Sequence, residues 1–342
     1  MAKTTVSGAG RIYLDHAASS PLRPEARAAM EEGFKLWANP SSPHGEGRKA
    51  RAALEDARAR IAAALGWDGE VIFTSGASEA LEIALRRAKV ERRIVSAVEH
   101  DAVFRAAPDA KIAPVSEGRV VLPDCSDALV AVQHVNSETG TIQPVAELAG
   151  QVREQGGLML SDCSQSAGKL PLPDADMLVV SAHKFGGPIG IGALLVKDFA
   201  ILAPVGGHER GYRQGTENLP GAMGMAAALE ARAWKTEAVT REGFRAALSG
   251  HGEIVGPGPH CDHILSLAHP SMPAQALLIR LDAMGFAVSA GSACSSGTLK
   301  KSRVLDAFGT PDEVANRTIR VSLGWNTTSD ELERFAEAWA SL

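Results

Sequence analysis

Val179-Val180-Ser181-Ala182-His183-Lys184 reads as an apolar strand that ends in a hydroxyl, an imidazole and an amine. Upstream of it, Leu158-Met159-Leu160-Ser161-Asp162 repeats the pattern and ends in a carboxylate. Short continuous apolar runs, without the alternation of a half-solvated strand, are typical of strands buried on both faces. Working outward, 71–73, 93–96, 128–135 and 193–196 read the same way. Helical segments lie between them, such as the Ala/Arg/Glu-rich stretch 48–65 with apolar residues at helical spacing. Strands alternating with helices predict an α/β protein whose mostly parallel sheet lies between helices.

Beyond residue 200 the pattern changes. Gly206-Gly207 opens a polar loop through Arg213, Gly215 and Thr216, and a helix over 221–234 leads away from the sheet. Strands are expected at 263–267 and 286–289, with helices at 274–284 and 329–342. The expected division is a large domain over 13–230 and a smaller α+β domain made of 1–12 and 231–342.

The 342 residues carry 35 basic and 40 acidic side chains, a net charge of −5, with no long run of one sign. That argues against direct nucleic-acid binding or a charged membrane-surface patch. No apolar run approaches the roughly 20 residues that span a bilayer. Met1-Ala2-Lys3-Thr4-Thr5-Val6-Ser7-Gly8 lacks the apolar core of a secretory signal. Cys125, Cys163, Cys261 and Cys294 are widely spaced, which fits a reduced, cytoplasmic setting.

The polar residues at the strand ends have a common chemistry. A lysine can join covalently to an aldehyde, and an acid at a neighbouring strand end can pair with a protonated ring nitrogen, the two fixed points that pyridoxal phosphate requires. Alone, a lysine after a strand is more often a solvated surface charge; the surrounding residues favour the chemical reading. Thr74-Ser75-Gly76-Ala77-Ser78-Glu79 joins a strand to a helix, and the backbone at Ala77 with the Ser78 hydroxyl makes a phosphate cradle or, more plainly, a capped helix start. Ser181 and His183 add phosphate donors. Asp162 and Gln165 are placed for the ring nitrogen and ring oxygen, with Asn136 on the same edge, or they cap turns. His100, after the strand at 93–96, can stack on a ring and shuttle protons.

Val288 to Gly297 is a run of small residues with Cys294 in its middle, which reads as an exposed, mobile arm presenting a thiolate (about 290–302). His260-Cys261-Asp262-His263 is too compact for four tetrahedral ligands, and no metal site is expected. Arg320, inside the apolar run Thr318-Ile319-Arg320-Val321-Ser322, is either a carboxylate clamp or a surface arginine on an edge strand.

Together these motifs resemble the pyridoxal-phosphate-dependent cysteine desulfurases of the class V aminotransferase group, from Tyr13-Leu14-Asp15 to Thr328. They include Asn39-Pro40-Ser41-Ser42, the 74–79 turn, Glu99-His100, His134-Val135-Asn136, Asp162 with Gln165, and Ser181-Ala182-His183-Lys184. They continue with Gly207-His208-Glu209-Arg210-Gly211, the stretch from Arg213 to Asn218, Gly291-Ser292-Ala293-Cys294, and Arg320-Val321-Ser322-Leu323-Gly324. The resemblance implies the fold type I architecture and a homodimer. Lys184 would hold the cofactor covalently and Asp162 would pair with its ring nitrogen. Gln165 would bond the ring oxygen and His100 would stack on the ring. Ala77, Ser78, Ser181 and His183 would hold the phosphate, with Thr216 reaching in from a second subunit. Asn136 and Arg320 would hold the carboxylate of L-cysteine. Cys294 would take the sulfur as a persulfide, leaving L-alanine, in the manner of the branch with an extended cysteine loop. The sulfur would pass to an acceptor protein, an iron–sulfur cluster scaffold or a sulfur carrier. Trp325 stands where the family usually has arginine, and Phe185-Gly186-Gly187-Pro188-Ile189-Gly190 departs from its usual tyrosine and lysine. A selenocysteine lyase or another fold type I enzyme would share most motifs. A catalytically silent scaffold would have no need of Lys184 or Cys294.

Overall fold

A computed structural model describes residues 10–290 and 302–342. Seven strands form its large sheet: Glu70–Thr74 (β1), Arg92–Ser96 (β2), Lys111–Ala113 (β3), Ala128–Ala131 (β4), Leu158–Asp162 (β5), Met177–Ser181 (β6) and Gly192–Val196 (β7). Their order is β1-β7-β6-β5-β4-β2-β3. Strands β6 through β3 pair in parallel, while β7 runs antiparallel to both of its neighbours. The reversal follows from chain length. Residues 182–191 separate β6 from β7, fewer than the dozen or more that a parallel crossover needs.

Each sheet face has its own core. Phe73, Val130, Val180 and Leu195 pack under residues of the helices Gly45–Leu65, Val145–Glu154 and Leu219–Glu230, among them Leu54, Ile61, Leu148 and Met225. Their strand neighbours Ile72, Leu129, Val179 and Leu194 pack on the other face with Leu81 and Leu85 of the helix Ala77–Arg87. Adjacent residues on opposite faces, all buried, explain the unbroken apolar runs of the sequence.

A second sheet joins Glu253–Ile254 (β8), Ile264–Ala268 (β9), Ser289–Ala290 (β10) and Thr318–Ser322 (β11) in the order β8-β9-β11-β10, all antiparallel. Phe244, Leu277, Leu281, Phe335 and Trp339 of three helices cover Leu265, Leu267, Ile319 and Val321. The short strand Ile12–Tyr13 pairs in parallel with Phe286–Ala287, and Ile12 and Leu14 are buried in the same core. The division expected between residues 12 and 13 therefore falls within a strand. The chain crosses toward the large sheet only after Leu14.

Candidate functional site

The carboxyl ends of β1, β2, β4, β5 and β6 open on one edge of the large sheet. The reversed β7 begins there too, since Gly192 lies opposite both Thr74 and Ser181. Ligands bind at this edge in open α/β sheets. Lys184 closes a single 3₁₀ turn, Ala182–Lys184, after β6. Its Nζ donates to the carbonyls of Ala17 at 2.7 Å and Ala18 at 2.9 Å. Burial, with Arg320 acting in the same direction, lowers its pKa to about 8, against the pull of Asp162 and Asp15.

The helix Ala77–Arg87 begins where β1 ends. Its first N–H groups, at Ala77 and Ser78, have no intrahelical acceptor, and open space lies above Gly76, where a Cβ would meet nothing within 4 Å. Ser181 is buried. His183 Nδ1 lies 3.2 Å from Ser19 Oγ, and burial with the nearby Lys184 and Lys169 lowers its pKa to about 4. Thr216 is exposed, on a loop held by Arg213, whose Nε is 3.3 Å from Glu79 and whose Nη1 donates to the Gly215 carbonyl at 3.0 Å.

Asp162 ends β5 and accepts the Ser164 N–H at 2.9 Å. Gln165 is buried; its Nε2 donates to the Ala17 carbonyl at 2.9 Å, while its Oε1 has no partner among the described residues. His100 caps the helix Asp101–Ala106, its Nδ1 accepting the Ala102 N–H at 3.2 Å. Burial lowers its pKa, with Asp162 opposing. Asn136 Oδ1 accepts from Glu138 N–H at 2.9 Å and Thr139 N–H at 3.0 Å, and its Nδ2 donates to the Val98 carbonyl at 3.1 Å. It thus ties its own turn to the one that carries His100.

Arg320 is 5% exposed and lies on β11, inside its sheet between β9 and β10, not on an edge. Its Nη2 pairs with Asp15 at 2.9 Å and its Nη1 donates to the Ser137 carbonyl at 2.9 Å, while Nε is buried without a partner among the described residues. Cys294 lies outside the described residues. Cys125, Cys163 and Cys261 are free thiols and buried, and burial pushes Cys163 up to about 12. Among the described residues no cluster is arranged to hold a metal ion.

Two contributors escaped the sequence reading. Residues 15–20 cross over the site: Asp15 meets Arg320, Ala17 and Ala18 meet Lys184, and Ser20 Oγ donates to the Lys184 carbonyl at 3.1 Å. The only signal was the start of the motif series at Tyr13-Leu14-Asp15. The second is Glu99, buried below His100, accepting from Ser96 Oγ at 2.5 Å and the Gln133 N–H at 2.8 Å. Burial, reinforced by Asp162, raises its pKa to about 8. Its only signal was its place in the Glu99-His100 motif, which gave it no role. Trp325 donates from Nε1 to the Pro21 carbonyl at 2.9 Å, and Arg23 lies 5.0 Å over its ring. The tryptophan thereby braces the end of the crossing segment.

A model of the aminotransferase class-V family matches residues 12–335. The chain is 34% identical to cysteine desulfurase IscS of Dictyoglomus turgidum, covering 94% of this chain and 91% of that protein. It is 35% identical to the putative cysteine desulfurase IscS 1 of Bacillus subtilis, over 96% and 97% of the two chains. A solved NifS-like protein superposes with a TM-score of 0.86 at 30% identity, covering 97% of this chain and 98% of the other.

Proposed function

The chain belongs to the aminotransferase class-V family and is a cysteine desulfurase, and from that premise we propose that it binds pyridoxal phosphate at the carboxyl edge of the large sheet and moves the sulfur of L-cysteine onto Cys294. Lys184 carries the reading: a half-buried amine held by the Ala17 and Ala18 carbonyls, its pKa lowered to about 8 and in electrostatic reach of both Asp162 and Arg320. Pyridoxal phosphate suits the residues at hand. Lys184 is neutral enough near pH 8 to attack an aldehyde, and Asp162 supplies a carboxylate for a ring nitrogen. The unpartnered Gln165 Oε1 is an unused bonding position for a ring hydroxyl. The Ala77 and Ser78 N–H groups, with Ser78, Ser181 and the neutral His183, suit a phosphate. Thr216, exposed on its loop, is assigned to the site of a second subunit. A homodimer is supported by Trp37 and Ile189, each 79% exposed, beside the paired helices Pro24–Lys35 and Leu219–Glu230.

When bound, pyridoxal phosphate supplies an electron sink for the α-carbon of an amino acid. Arg320, through its unpartnered Nε, and Asn136, through the amide hydrogen that Val98 does not take, receive the substrate carboxylate. Lys184 Nζ takes the α-proton and returns it to the α-carbon once the β-carbon, freed of sulfur, has taken up the proton that the Cys294 thiol gave up. His100 Nδ1 is occupied as an acceptor, so its Nε2 is the nitrogen that assists. The Cys294 thiolate attacks the substrate sulfur. The S–S bond forms as the C–S bond breaks, leaving L-alanine and a persulfide on Cys294 for transfer to an iron–sulfur scaffold or sulfur carrier in the cytoplasm.

Alanine release from L-cysteine with a reductant, compared between the yellow wild type and Cys294→Ser, tests the assignment. The variant should keep its colour and lose turnover. Wild-type turnover in the variant would remove Cys294 from the mechanism.

A further inference from the structure

His260-Cys261-Asp262-His263 has no role in the reaction as described, yet its last residue lies directly behind the cofactor site. His263 is 1% exposed. Its Nδ1 is 3.2 Å from Asp262 Oδ1 and its Nε2 is 3.0 Å from the backbone carbonyl of Gln165. Both partners accept, the arrangement that a doubly protonated ring satisfies, and the Cys261 side chain bonds the same imidazole. Asp262 is fixed in turn by Arg241 of the helix Ala238–Ser249, at 2.9 Å from Nε and 2.7 Å from Nη2. Arg241 lies 4.7 Å over the Trp234 ring, which meets His263 edge-on at 6.1 Å. From Gln165 the series continues through its carboxamide to the Ala17 carbonyl, which also receives Lys184.

We propose that His263 is a positioning residue of the cofactor site, fixing Gln165 through its carbonyl and holding a positive charge behind the residues that meet the cofactor ring. The charge balance at His263 is legible from every side. Burial alone would lower the group, but Cys261 and Asp262 outweigh burial and the opposing Lys169, and it is raised. Asp262 is held down at about 2, the His263 and Arg241 hydrogen bonds outweighing its burial. Such a cation disfavours further positive charge at the ring and at Lys184, and so keeps the joined cofactor deprotonated at lower pH.

The inference rests on the pyridoxal-phosphate reading, and one titration separates the two. Apo protein is loaded with pyridoxal phosphate, and the visible absorption gives both a dissociation constant and the pH midpoint at which the bound band changes. His263→Gln keeps a donor for the Gln165 carbonyl but removes the charge. It should raise the midpoint by about one pH unit with little change in affinity. His263→Leu removes donor and charge, and should also weaken cofactor binding about tenfold. If the leucine variant does not fold, the glutamine variant still decides. A wild-type midpoint in folded His263→Gln overturns the proposal. Failure of the wild type to develop any visible band overturns the cofactor reading instead.

Discussion

Residues 181–184 and residues 15–20 both end at the Lys184 amine, but they are held there by different means. The first segment leaves β6, whose two neighbours fix its backbone on both sides. Its side chains are therefore free for chemistry. The second is a loop that leaves the Ile12–Tyr13 strand of the smaller core and crosses to the large sheet. Its carbonyls at Ala17 and Ala18 belong to no ladder, so they accept from Lys184 and Gln165. Its side chains do the fastening: Ser19 to His183, Ser20 to the Lys184 carbonyl, Asp15 to Arg320. One segment presents the Lys184 amine, and the other holds that amine in place through the Ala17 and Ala18 carbonyls.

If that division of labour holds, damage to the two segments should be read out differently. Lys184→Ala should lower alanine formation on the order of a thousandfold and abolish the covalent cofactor band, while the denaturation midpoint stays near wild type. A folded variant that retained turnover would break the comparison at its root. The crossing segment should fail through stability first. His16 is buried in it, near Ser20 Oγ at 3.1 Å, and a Cβ on Gly324 would collide with its ring. Gly324→Ala should therefore cost about 3 kcal/mol by denaturant unfolding, with any folded fraction still binding cofactor. Unchanged stability would mean that the segment is free to shift.

The contrast also explains what could be read in advance. Val179 and Val180 face opposite cores, so β6 had to be apolar throughout, and its polar tail at Ser181, His183 and Lys184 stood out. Asp162 was visible for the same reason. Residues 15–20 gave no such signal, because a crossing loop is defined by what it meets far along the sequence, at Lys184 and Arg320, and Ala17 and Ala18 act through backbone atoms that every residue has. Glu99 was hidden for another reason: its polarity is answered by Ser96 Oγ and the Gln133 N–H, partners that only the sheet brings together. Arg320 could be read as clamp or edge residue until β10 was seen to pair beyond it. The reversal of β7 follows from a short connection, but its consequence, Gly192 beside Ser181 and Thr74, appears only in the register.

Asp15 offers the finest test, because it belongs to the loop yet acts on both Arg320 and Lys184. Its carboxylate pairs with Arg320 at 2.9 Å and favours the protonated form of Lys184, whose pKa burial and Arg320 bring down to about 8. Asp15→Asn should loosen Arg320 and raise KM for L-cysteine by up to about tenfold with little change in kcat. The second effect has a definite sign. Removing an anion disfavours the charged amine, so the Lys184 pKa falls further. Since only the neutral amine attacks an aldehyde, the rate at which apo protein takes up pyridoxal phosphate should rise with pH through about 8 in the wild type, and through a lower pH in the variant. Stopped-flow loading across pH 6 to 10 measures both midpoints. Coincident midpoints would show that Asp15 only orients Arg320, and that the loop places the amine without tuning it.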